Sequence, residues 1–211
     1  MNKNEILNLL HQGKLAIAFD TNALFGDKRL KRLCTSINRI NRLDDKYQLK
    51  LVVPAPAHAE KLRQIKQYLK KQDKKYNHEF VLKNLTDLGI HIAPFEPWHA
   101  EKVADLFHKQ FPTEDDWNQY KLKRCLDCIG RNCLKRCLDC LELSFVEEFI
   151  ESTGQTCSAT VDWLIAGYAY AENCLLVTDD TGKEFKGIEK KTTFDELDAA
   201  VNQLLQALCA L

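Results

Sequence analysis

Short apolar runs alternate with longer amphipathic segments along this chain, and the alternation indicates strands and helices in turn. Leu15 to Phe19 is an almost unbroken apolar run, which is typical of a strand buried on both faces. Similar runs occur at Leu49 to Val53, Gly89 to Ala93 and Cys174 to Val177, and a short fifth strand is predicted to include Lys191 to Phe194. This order predicts an α/β fold, a three-layer α/β/α sandwich with a central, mostly parallel sheet.

The segments between these strands have helical patterns. Pro54 and Pro56 mark a turn from the second strand into a helix. We predict helices near Asn22 to Arg42, Ala57 to Lys75, Pro97 to Gln110, Ser158 to Ala171 and Asp195 to Leu211.

Composition favours one domain and leaves nucleic-acid binding to local features. The 211 residues are 45% hydrophobic and 28% charged, which suffices for one sizeable core, so residues 1–211 are predicted to form a single domain. The formal net charge is zero, and any nucleic-acid contact must therefore use local basic patches. Two such patches are Lys28, Arg29, Lys31, Arg32, Arg39 and Arg42, and Lys61, Arg63, Lys66, Lys70, Lys71, Lys74 and Lys75.

No targeting or membrane pattern stands out in the sequence. Met1 to His11 has apolar residues at near-helical spacing but lacks the long apolar core of a signal peptide. No stretch approaches the length of a membrane span, so we expect a cytoplasmic protein that does not interact with membranes.

Acidic residues follow the first and fourth predicted strands. Asp20 comes directly after Phe19, and Asp179 and Asp180 follow the fourth strand after Thr178. In an open α/β sheet the carboxyl ends of the parallel strands meet at one edge, where ligands bind. We therefore expect these acids to lie at one edge of the sheet.

Two further acids lie on predicted helices. Glu60 is on the helix after the second strand, and Asp162 is on a helix of small and apolar residues, where an unpaired carboxylate is costly and a cation is the usual remedy. Each acid alone also has an ordinary interpretation. Asp20 would cap a helix, Glu60 would be solvated, and Asp179 with Asp180 would form a turn.

The order of these pieces resembles the PIN-domain nucleases, particularly the VapC-type toxin ribonucleases. The resemblance covers residues 14 to about 110 and 157 to about 200. It is carried by Asp20-Thr21-Asn22, by Glu60, by Asp162-Trp163-Leu164-Ile165-Ala166, and by Leu176-Val177-Thr178-Asp179-Asp180 with Phe185 downstream.

The resemblance implies an endoribonuclease that depends on Mg²⁺ or Mn²⁺, ions that prefer carboxylate ligands. A metal-activated water would attack the phosphodiester in line and leave a 5′-phosphate and a 3′-hydroxyl. The catalytic residues would be Asp20, Glu60, Asp162 and Asp180, with the same four and Asp179 as metal ligands, and Thr21, Asn22 and Thr178 as supporting residues. Counting from Thr178 aligns Asp180 with the family's fourth acid, although the two adjacent aspartates could exchange this role.

The resemblance also implies partners. These are an RNA substrate, an antitoxin protein that covers the acids, and a second copy of the chain in a homodimer. The apolar residues Leu204, Leu205, Leu208 and Leu211 suit a dimer interface, but their spacing suits an internal core helix equally well.

A Cys-rich segment, residues 111–156, is predicted to be an insertion within the domain. The heptapeptide Leu-Lys-Arg-Cys-Leu-Asp-Cys occurs in it twice, at Leu122 to Cys128 and at Leu134 to Cys140. Its paired cysteines, which would be ligands of a structural Zn²⁺, are Cys125, Cys128, Cys137 and Cys140. An iron–sulfur cluster, buried free thiols in a helical hairpin and redox-responsive disulfides are the alternatives.

Other hydrolase signatures are missing from the sequence. It has no Walker loop, no Gly-x-Gly-x-x-Gly and no paired histidines around a glutamate. Two other hypotheses remain beside the ribonuclease. The protein would be a DNA-directed nuclease of the same fold, or a non-catalytic binding or scaffold module with a zinc-stabilised insert.

Overall fold

The computed structural model describes residues 1–24, 27–120 and 160–210. Its strands are β1 Lys14–Phe19, β2 Gln48–Pro54, β3 Ile90–Ala93, β4 Leu175–Val177 and β5 Lys191–Thr192. Its α-helices are α1 Lys3–His11, α2 Asp27–Leu43, α3 Ala55–Lys71, α4 His78–Asp87, α5 Pro97–Gln110, α6 Thr160–Ala171 and α7 Phe194–Cys209. Residues 114–120 are also helical. Short 3-10 helices lie at Asn22–Leu24 and Lys183–Phe185.

Within the described residues the strands form one five-stranded sheet in the order β3-β2-β1-β4-β5, and every neighbouring pair is parallel. The predicted α/β class with a parallel sheet is therefore confirmed. Phe19 of β1 pairs with Val177 of β4, and the backbone N–H of Asp20 donates to the carbonyl of Val177 at 3.0 Å. Because the two strands end level, the residues that follow them meet at the same edge.

The helices pack in two groups, an arrangement compatible with a three-layer sandwich. Helices α1 and α2 contact α7, whereas α3 and α5 contact α6. Parallel strands need helical crossovers that cover the sheet, which explains why nearly every strand side chain at the centre is apolar and buried.

The core is centred on β1 and its neighbours. Ile17, Leu51 and Leu175 are almost completely buried, and full burial of such a side chain contributes about 1.5–3 kcal/mol. On α7, Leu204 belongs to this core, and Leu205 and Leu208 pack against it. These carboxyl-terminal leucines thus serve an internal helix, and they lend no support to the predicted homodimer.

Several helix bounds differ from the predicted ones. The helix predicted near Asn22 to Arg42 is two elements, a 3-10 turn at Asn22–Leu24 and then α2 from Asp27. Helix α3 begins at Ala55, directly after Pro54, and ends at Lys71 instead of Lys75. The chain turns there, since Asp73 adopts a positive φ of 52°.

Helix α4 is absent from the sequence-based prediction. Asn77 caps it, with its side-chain oxygen accepting from the N–H of Phe80 at 3.1 Å. It ends before Gly89, whose φ of 72° favours glycine. None of its residues is fully buried, so its apolar pattern is weak.

The predicted Cys-rich insertion lies mostly outside the described residues. Its proposed zinc ligands Cys125, Cys128, Cys137 and Cys140 all fall there. The first residues of the segment are described, and Phe111 and Tyr120 are buried in an aromatic cluster with Phe107, Trp117 and Trp163. The chain thus still packs on α5 and α6 up to Tyr120.

Within the three described segments, no helix is both long enough and apolar enough to span a membrane.

Candidate functional site

Asp20 stands at the carboxyl end of β1 and is only 2% exposed. Its carboxylate is held from two sides, since Oδ1 accepts from the backbone N–H of Thr21 at 2.6 Å and Oδ2 accepts from the hydroxyl of Thr178 at 2.6 Å. Burial raises the pKa of Asp20 to about 6 in spite of these hydrogen bonds, which lower it. The negative charges of Asp180 and Glu60 contribute to the increase.

Glu60 reaches the same edge from the second turn of α3. Its Oε2 accepts from the hydroxyl of Thr21 at 2.8 Å, and its Oε1 lies 3.4 Å from Nη2 of Arg63. Thr21 therefore links the end of β1 to α3, because its N–H donates to Asp20 and its hydroxyl donates to Glu60.

Thr178 connects the end of β4 to the same group. Its hydroxyl donates to Asp20 and accepts from the backbone N–H of Asp180 at 3.1 Å. The side-chain amide of Asn22 lies 3.4 Å from the same oxygen. The structure thus places all three predicted supporting residues, Thr21, Asn22 and Thr178, among the acids.

Asp162 approaches from α6, and its pKa reveals how close the other acids lie. Burial is the larger cause, and together with the charges of Asp20, Glu184, Asp180 and Glu60 it raises the pKa of Asp162 to about 8. Coulombic repulsion weakens as charges move apart, so the charges that act on Asp162 lie near it. The predicted acids from four separate chain segments therefore converge.

Asp179 and Asp180 occupy different environments. Asp180 raises the pKa of both Asp20 and Asp162, and its backbone is tied to Thr178. Asp179 is exposed. We therefore count Asp180 with the converging acids.

Glu184 is a fifth acid that the sequence-based prediction omits. It lies in the 3-10 helix Lys183–Phe185, is 1% exposed, and accepts a hydrogen bond from the hydroxyl of Tyr120. Gly182 makes room for it, because a Cβ at that position would collide with the Glu184 carboxylate. In the sequence, Glu184 directly precedes Phe185, which belongs to the motif that resembles the PIN-domain nucleases. Thr181 and Gly182, however, are residues typical of an exposed turn, so the sequence did not single Glu184 out.

We call Asp20, Glu60, Asp162, Asp180 and Glu184 the acid cluster. In the described part of the chain, no three His, Cys, Asp or Glu side chains are placed so that they share one metal ion. Mg²⁺ often takes only one or two carboxylates and completes its shell with waters and substrate phosphate.

Two observations fit a divalent cation at the acid cluster. Burial and, to a smaller extent, the neighbouring negative charges raise the pKa of Asp20 and Asp162, and a bound cation would offset the cost of ionising both. In addition, Oδ1 of Asn22 is buried and has no hydrogen-bond partner among the described residues. An unsatisfied oxygen next to clustered carboxylates suits a hard cation or one of its waters.

The two predicted basic patches differ in their surroundings. On α2, Arg29 and Arg32 form ion pairs with Asp195 and Asp198 of α7, so this part of the first patch joins two helices. The second patch begins at the acid cluster, since α3 carries both Glu60 and Arg63.

No protein-family model matches this chain, and no curated protein matches it either. The likeness to PIN-domain nucleases therefore depends on the ordered motifs described above.

Proposed function

We propose that this protein is a divalent-metal-dependent endoribonuclease with a PIN-like fold. The observation that carries the proposal is the convergence of the acid cluster at the carboxyl edge of a parallel sheet. The motif order supports it, since the residues that resemble the PIN-domain nucleases are the ones that meet there. RNA as the substrate, an antitoxin partner and a homodimer are proposed from that resemblance alone.

In this proposal Asp20 and Asp162 are the principal ligands of Mg²⁺ or Mn²⁺, and Glu60 and Asp180 bind the ion directly or through water. The bound ion would activate a water and offset charge on the phosphoryl oxygens. Thr178 and Thr21 fix the orientation of two carboxylates by hydrogen bonds of 2.6 and 2.8 Å. Glu184 adds negative charge to the wall of the site and is held by Tyr120.

Cleavage of single-stranded RNA in Mg²⁺ or Mn²⁺ tests this proposal. Asp20→Asn keeps the size of the side chain and removes its charge, so we expect it to reduce cleavage by about a hundredfold or more. Asp105→Asn is the matched control, because Asp105 is exposed on α5 and forms a surface ion pair with Lys102. Equal cleavage by all three proteins would remove Asp20 from the mechanism.

The same assay distinguishes the alternative hypotheses about the substrate and the fourth acid. Parallel digests of RNA and DNA of one sequence decide the substrate, and comparison of Asp179→Asn with Asp180→Asn decides the fourth acid. A chelator should abolish cleavage, and the products should carry 5′-phosphate ends. If no nucleic acid is cleaved but elemental analysis finds about one Zn per chain, the binding-module reading is favoured.

A further inference from the structure

A basic surface begins beside the acid cluster and runs along α3 to the start of α4. Helix α3 starts at the carboxyl end of β2, and Glu60 on its second turn belongs to the acid cluster. With a rise of about 1.5 Å per residue, Lys66 to Lys71 lie roughly 9–17 Å along the helix from Glu60. This is the scale of a few nucleotides leading away from the acids.

The surface is strongly basic although the chain has no net charge. Residues 61–83 contain eight lysines and arginines and two acids. Lys66 and Lys70 are exposed, and within the described residues neither is in an ion pair with a carboxylate. Such lysines attract a polyanion and release counterions when it binds.

Exposed aromatic rings are interleaved with these cations. Tyr68 is 60% exposed and Phe80 is 63% exposed. The Nζ of Lys66 lies 4.7 Å from the centre of the Tyr76 ring, and the hydroxyl of Tyr76 lies 2.8 Å from Nδ1 of His78. We call Lys66, Tyr68, Lys70, Tyr76, His78 and Phe80 the aromatic–basic surface.

Local contacts hold this surface in place. Tyr76 contacts both Lys66 of α3 and His78 of α4, so its ring joins the two helices. Asn77 caps α4 through the N–H of Phe80, which fixes the backbone of that residue.

We propose that the aromatic–basic surface binds single-stranded RNA and guides it to the acid cluster. Lysines alone would bind a duplex or an acidic protein, whereas exposed rings among lysines match the pattern that binds single strands by stacking on unpaired bases. Duplex RNA keeps its bases stacked and so cannot use Tyr68 or Phe80 in this way. This inference rests on the proposed function, because guiding RNA to the acid cluster has a purpose only if RNA is cleaved there.

The test measures binding and cleavage separately. A fluorescent 12-nucleotide RNA, single-stranded or paired with its complement, is titrated in EDTA, where metal-dependent cleavage does not occur. The variants are Lys66→Glu with Lys70→Glu, Tyr68→Ala, and Phe80→Ala. The matched control is Lys3→Glu with Lys14→Glu, because these lysines are exposed and Lys14 opens β1 at the opposite edge of the sheet.

We expect wild type to bind the single strand more tightly than the duplex. The double charge reversal should weaken binding at least tenfold and reduce the slope of log K against log salt by about 1.4, or 0.7 for each lost phosphate contact. Tyr68→Ala and Phe80→Ala should each weaken binding about tenfold. The control pair should stay within about twofold, and circular dichroism should show that all variants fold.

Two results would overturn the inference: unchanged single-strand binding in the folded variants, or equal affinity of wild type for duplex and single strand. A change in sedimentation of Phe80→Ala with unchanged RNA binding would also do so, since it would assign the surface to a second copy of the chain. If the variants show the expected loss of RNA binding but wild type cleaves no RNA, the proposed ribonuclease function is refuted while the RNA-binding surface is supported.

Discussion

Replacement of Asp162 by Asn should stabilise the metal-free protein at alkaline pH while it abolishes cleavage. Burial, together with the charges of Asp20 and Glu184, raises the pKa of Asp162 to about 8. Above pH 8 the fold therefore contains a carboxylate whose ionisation its surroundings disfavour. Asparagine has nearly the same shape and no charge, so the variant removes the repulsion.

The size of the effect follows from the difference in pKa between folded and unfolded states. The ordinary value for Asp162 is 3.8. Between pH 4 and pH 8 the folded state keeps a proton that the unfolded state has released, so stability falls as the pH rises. A difference of about four in pKa corresponds to at most about 6 kcal/mol. Asp162 is half-buried, and water screens its charge, so we expect about 2 kcal/mol.

Urea unfolding in EDTA at pH 5 and pH 8.5 measures this difference. At pH 5 the Asp162 carboxyl is protonated in the folded protein, and we expect wild type and variant to be similar. At pH 8.5 the variant should be more stable by about 2 kcal/mol. Added Mg²⁺ at about 100 times its Kd should then reverse the order, because it stabilises wild type by about 2.7 kcal/mol.

The Asp105→Asn protein provides the control, since an exposed carboxylate should alter stability little at either pH. A variant less stable than wild type at pH 8.5 in EDTA would show that ionised Asp162 makes net favourable contacts. That result would refute the claim that ionised Asp162 destabilises the metal-free fold.

Three further substitutions probe the site and its support. Thr178→Val removes the hydroxyl that donates to the buried Asp20 carboxylate, and we expect at least tenfold slower cleavage and a loss of about 1–3 kcal/mol in urea unfolding; normal cleavage would contradict the role of this hydrogen bond. Tyr120→Phe leaves the buried glutamate of the acid cluster without that donor, so unfolding in urea at pH 7 should show a loss of about 1–3 kcal/mol. Gly167→Ala normally favours a helix, but here the new Cβ meets Val103, and thermal unfolding should show a loss of about 1–3 kcal/mol.

The strands and most of the acids could be predicted because their signals are local. A continuous apolar run that stops at Asp20 marks both a buried strand and the residue at its end, and the parallel arrangement then brings separate ends together. Helix α4 escaped prediction because it buries no residue completely, so its apolar positions do not stand out.

Glu184 could not be predicted because its environment is not local. Its burial depends on Tyr120, which lies 64 positions away in the chain, and on the space left by Gly182. In the sequence the same residues have the composition of a solvent-exposed turn. A tertiary contact, rather than any nearby pattern, makes this glutamate part of the acid cluster.

The pairing of β1 with β4 also has a consequence for the timing of protein synthesis. These strands are neighbours in the sheet, yet about 150 residues separate them along the chain. A nascent polypeptide still attached to its ribosome cannot assemble the acid cluster until β4, Asp180 and Glu184 have emerged. Because domains fold as units during translation, a product that stops before β4 lacks Asp180 and the strand that places Thr178 beside Asp20.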